Sequence, residues 1–128
     1  MSYQWALFSG GKMRAFFINS RTCRYGEVNV ILNEKTLDNF VGGAFVWHLV
    51  QTKGMEFMLM AEFGESLHED GRLSVRVARG DDLCGNVLIV GFVNHFDLRD
   101  LTDDEVEAIT DSITDSDGHP VFECGRTI

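Results

Sequence analysis

Short apolar runs separated by turn residues fill most of the chain, and their lengths fit strands better than helices. Tyr3 to Phe8, Met13 to Ile18, Val28 to Leu32 and Phe57 to Phe63 each predict a strand. Between the first two, Ser9-Gly10-Gly11-Lys12 supplies paired glycines for a tight hairpin. Arg72 to Val77 alternates, with Leu73, Val75 and Val77 toward one side and Arg72, Ser74 and Arg76 toward the other, which predicts a half-buried strand. Asn86 to Val93 is more continuously apolar and predicts a central strand, in which Gly91 marks a bulge or a close approach. Ala44 to Val50 is apolar apart from His48, and a strand is favoured there over a helical continuation through Gly42-Gly43.

Two segments follow a helical period instead. Thr36 to Val41 predicts a short helix with Thr36 as N-cap and Leu37, Phe40 and Val41 on one face. In Leu101-Thr102-Asp103-Asp104-Glu105-Val106, Thr102 and Glu105 have the spacing of a capping box, and Leu101 and Val106 fall at the staple positions. Val106, Ile109 and Ile113 then form a narrow apolar stripe on an otherwise acidic helix. Asp117-Gly118-His119-Pro120 breaks that helix, and residues 115–128 are expected as an edge strand or a mobile tail, with Val121 to Cys124 as the strand. The predicted fold is a single α+β domain over residues 1–128, a mostly antiparallel sheet of about five to seven strands with two short helices.

Composition adds limits. The 128 residues are 45% apolar with ten Phe and two Trp, enough for a core without staples. There is no apolar run of the roughly 18 residues a membrane span needs, so a soluble cytoplasmic protein is expected, with no membrane partner. Cys23, Cys84 and Cys124 are too few and too scattered for a disulfide framework, and reduced thiols are expected.

Charge changes the picture most. Acids and bases nearly cancel up to Phe96, whereas from Asp97 onward ten carboxylates face only Arg99 and Arg126, a net −8 of the −9 total. A pI of 4.7 argues against direct nucleic-acid binding, because phosphate affinity comes from Lys and Arg displacing counterions. It suits the opposite role, a carboxylate surface offered to a protein that normally binds nucleic acid. Asp103, Asp104 and Glu105 complement the positive end of a helix dipole, so part of the acidity is structural. The acids continue through Glu107, Asp111, Asp115 and Asp117, beyond what capping requires. Two readings stand side by side, a solvated helix face and a recognition surface formed by Asp103, Asp104, Glu107, Asp111, Asp115 and Asp117. Lys12, Arg14, Arg21 and Arg24 make the N-terminal region basic, so the two ends could also pair, within one chain or between subunits.

Candidate chemistry is sparse. Gly10-Gly11-Lys12 lacks the G-x-x-x-x-G-K-[ST] spacing that surrounds a phosphate with backbone amides. Cys84 follows Asp81 and Asp82, which would raise its pKa, and reads as a packed thiol. His48, His68, His95 and His119 lack metal-ligand spacing. No catalytic residue, metal or cofactor is assigned, and an enzyme is the less favoured class.

Several segments carry a resemblance. Thr36-Leu37 through Val41-Gly42-Gly43, Phe57 to Glu62, Leu73 to Arg79, Cys84-Gly85-Asn86-Val87-Leu88-Ile89-Val90-Gly91 and the Leu101-Thr102-Asp103-Asp104 helix start occur in that order. The series resembles a domain-of-unknown-function family found in phages, plasmids and conjugative elements. Members of that family usually begin near the strand before the Thr-Leu helix, and His68-Glu69-Asp70-Gly71 stands where they place an asparagine-containing turn. The resemblance implies an accessory protein of a mobile element and no particular catalytic residue. The leading expectation is a non-enzymatic protein that binds a basic surface on a host protein. The alternative is a binder of a nucleotide or metabolite, using Trp47 with Arg72, Arg76 and Arg79, and Trp5 or Phe92 as further aromatic platforms. Strand edges and aromatic content add the expectation of a homodimer.

Overall fold

Apolar residues on both sides of the same strands dictate the architecture, a sheet covered on two faces. The computed structural model describes residues 12–22, 24–42, 45–52, 54–63, 74–77, 83–94 and 97–115. Its elements are β1 (Met13–Asn19), β2 (Arg24–Val30), α1 (Glu34–Val41), β3 (Phe45–Thr52), β4 (Met55–Glu62) and β5 (Ser74–Val77). They continue with β6 (Leu83–Cys84), β7 (Val87–Asn94), β8 (Asp97–Arg99), α2 (Asp103–Ser112) and β9 (Ile113–Asp115). The larger sheet runs β2-β1-β7-β4-β3, with β8 as its sixth strand against the far end of β7, and a second sheet runs β6-β5-β9. All these pairings are antiparallel, so the α+β expectation holds, with two sheets in place of one.

β7 is the central strand the sequence predicts. Ile89 lies opposite Phe16 of β1 on one side and Leu59 of β4 on the other. Farther along, Gly91 pairs with Phe57 of β4 and with Arg99 of β8, so β8 takes over the flank that β1 leaves. The two strands meet end to end where the Leu101 amide donates to the Arg14 carbonyl at 3.0 Å.

Alternate residues of β1, β4 and β7 feed two separate cores. Phe16, Ile18, Phe57, Leu59, Val87 and Ile89 pack with Leu101, Ile109 and Ile113 beneath α2 and the smaller sheet. Met13, Ala15, Phe17, Met60, Leu88 and Val90 pack with Leu37 and Val41 of α1. Burial on both faces is why Val87-Leu88-Ile89-Val90 reads as an unbroken apolar run.

Several boundaries differ from the sequence reading. Asn33, not Thr36, caps α1: its Oδ1 accepts the Thr36 amide at 2.8 Å from an extended backbone, which places Thr36 inside the first turn. The helix stops at Gly42, whose φ of 79° is the left-handed geometry glycine tolerates and whose amide donates to the Asp38 carbonyl. β2 begins at Arg24 and ends at Val30, because its register is fixed by the β1 hairpin, where Asn19 Oδ1 accepts the Arg21 and Thr22 amides. β3 is a strand as expected and pairs antiparallel with β4, Thr52 lying opposite Met55. α2 ends at Ser112, and Ile113, expected on the helix, instead starts β9 while keeping its place in the core. The expected strands Tyr3 to Phe8 and Val121 to Cys124, and the Gly10-Gly11 turn, lie outside the described residues.

Candidate functional site

α2 is fixed at its N-terminus by short-range chemistry that the sequence states openly. Thr102 Oγ1 accepts the Glu105 amide at 3.2 Å and Glu105 Oε1 accepts the Thr102 amide at 2.9 Å, completing the predicted capping box. The Glu105 residue is only 4% exposed, and its second partner comes from β8. Arg99 donates from Nη1 to Oε1 and from Nη2 to Oε2, the latter at 2.7 Å, a bidentate pair. Burial works against the Glu105 carboxylate, yet the hydrogen bonds from Arg99 and the Thr102 amide outweigh it and hold its pKa below the ordinary value.

Gly91 makes that pair reachable. A Cβ there would lie 2.7 Å from Arg99 Nη1 and 2.8 Å from the Arg99 carbonyl oxygen, so only glycine lets this guanidinium cross the strand toward α2. Of the two readings of Gly91, close approach is the observed one; the bulge falls one step later, between Phe92 and Asn94.

A second arginine reaches α2 from β1. Arg14 Nε and Nη2 each lie 2.8 Å from a Glu27 oxygen on β2, and Nη1 lies 2.7 Å from Asp103 Oδ1. The hydrogen bond from Arg14 holds the Glu27 carboxyl below its usual range. The Arg14 amide also donates to Asp100 Oδ1 at 2.9 Å. Of the two pairings open to the basic and acidic ends, the one within a single chain is formed here, through Arg14 and Asp103.

The remaining helical acids point elsewhere. Asp104, Glu107 and Asp111 are exposed, and among the described residues no cation lies in salt-bridge contact with them. Positions i, i+3 and i+7 share one helix face, so the three carboxylates form a ridge with steps of about 4.5 and 6 Å along the axis. The last turn of α2 carries no basic residue, and Asp111 sits there against the negative end of the dipole. Among the described residues no cation offsets an acid at that position. Asp115 belongs to β9, with its backbone opposite Val75, and Asp117 lies outside the described residues. The six acids named from sequence therefore separate into the ridge, the tethered Asp103, which still keeps 92% of its side chain exposed, and the two beyond the helix.

The residues of the small-ligand alternative fall only partly within the described structure. Trp47 is half-buried on the α1 side of β3, packed edge-on against Phe45 with ring centroids 5.8 Å apart. Arg76 belongs to β5 of the smaller sheet, whose partners Leu83 and Ile113 join the α2-side core; Arg72 and Arg79 lie outside the described residues, as does Trp5. No group of three or more His, Cys, Asp or Glu side chains among the described residues could hold a metal ion. No described helix is long and apolar enough to cross a membrane.

Sequence reasoning gave no role to Asn86. Its Oδ1 accepts from the Ser20 amide at 2.9 Å and hydroxyl at 3.1 Å, and its Nδ2 donates to the Phe40 carbonyl at 2.8 Å. Its own amide donates to Glu62 Oε1 at 2.9 Å, while the Glu62 amide donates to the Asn86 carbonyl. One side chain and its backbone thus join the ends of β1, β4 and α1 at the start of β7. The signal available in sequence was a lone amide opening an otherwise apolar strand.

Comparison with protein families, with curated proteins and with solved structures gives no match.

Proposed function

We propose that the protein is a non-enzymatic accessory protein of a phage or other mobile element, and that it binds a basic surface on a host protein through α2. The observation that carries this reading is the exposed ridge of Asp104, Glu107 and Asp111, with Asp111 placed where the helix dipole disfavours an acid. The mobile-element setting rests on the resemblance of the Thr36 to Asp104 segments. A row of carboxylates at this spacing suits a host protein that ordinarily grips nucleic-acid phosphates, and attraction of this kind steers encounter more than it sets final affinity.

The test is the triple variant Asp104→Asn, Glu107→Gln, Asp111→Asn, used as bait in a host lysate at low and high salt. The parent chain is expected to retain a protein at low salt and release it as the Debye length shortens from about 10 Å at 0.1 M to about 3 Å at 1 M, and the variant to retain none. Equal capture by parent and variant overturns the reading. Asp103 is left in place because its carboxylate is bonded to Arg14.

A further inference from the structure

We draw no further inference here: the strongest candidate, the edge of the larger sheet at β3, where Val46 and Leu49 are exposed on opposite faces, carries nothing because the structure does not show what covers it.

Discussion

α1 and α2 lie against opposite faces of the same sheet, and each buries an apolar side over β1 and β7, but their ends are secured in different ways. α1 has a neutral amide cap at Asn33, an edge-to-face contact between Phe40 and Phe17 at 4.7 Å, and the neutral Asn86 side chain on its Phe40 carbonyl. α2 has a charged cap, with Glu105 held by Arg99 and Asp103 held by Arg14. The neutral anchors are insensitive to salt and pH, whereas the charged ones respond to both. Acidity that would burden an ordinary helix is thereby confined, with its first turn tied down and its outer face left for solvent or a partner.

The largest effect that separates the two faces is expected from Arg99→Met. It leaves the nearly buried Glu105 carboxylate without its cation, a loss of about 2 to 3 kcal/mol, below the roughly 3 to 5 of a fully buried pair because Arg99 keeps 37% of its side chain in water. Denaturant titration gives the total, and amide hydrogen exchange should show α2 opening while α1 stays protected. Uniform loss of protection in both helices would break the comparison.

Asn86→Ala addresses the other face. The Ser20 amide and hydroxyl and the Phe40 carbonyl lose their bonds to Asn86 together, for about 2 kcal/mol. Exchange should now rise first at the α1 C-terminus.

Acid titration distinguishes the helices without mutation. Glu105 and Glu27 have folded pKa values below the ordinary 4.5, so their contribution is complete above the unfolded carboxylate range and is lost as pH falls through the folded values. Protection of α2 amides is therefore expected to decline before that of α1 as pH drops below 4.5. The reverse order would show that the charged cap does not govern α2.

The smallest shift is expected from Asp111→Asn. Relieving the dipole at the α2 C-terminus stabilises by a few tenths of a kcal/mol while weakening capture of a basic partner. A thermal melt and a capture assay moving in opposite directions would separate binding from folding; a destabilised variant would give Asp111 a structural role instead.

Local signals were legible and distant ones were not. The Thr102 and Glu105 spacing, the run from Val87 to Val90 and the preference for strand after Gly42-Gly43 each lie within one element, where periodicity and capping chemistry act. β6, β8 and β9 are two or three residues long, too short to show a period, and exist because neighbouring strands offer them hydrogen bonds. Thr36 and Asn33 both suit a cap, and which of them serves depends on where β2 lets the chain turn. The tether from Arg14 spans 86 positions to Asp100, so the acids it engages could not be told from those it leaves exposed. Gly91 is intermediate: its importance was visible, but the guanidinium that requires it was not.

The position of β7 has a consequence for how the chain acquires its shape during synthesis. Strands β1 and β4 leave the ribosome before it, and each keeps an open hydrogen-bonding edge until residues 87–94 emerge to fill the space between them. The middle of the larger sheet is thus its late arrival. Closure joins residues far apart in sequence, which predicts slow folding and a window in which the unfilled slot accepts strands from other nascent chains.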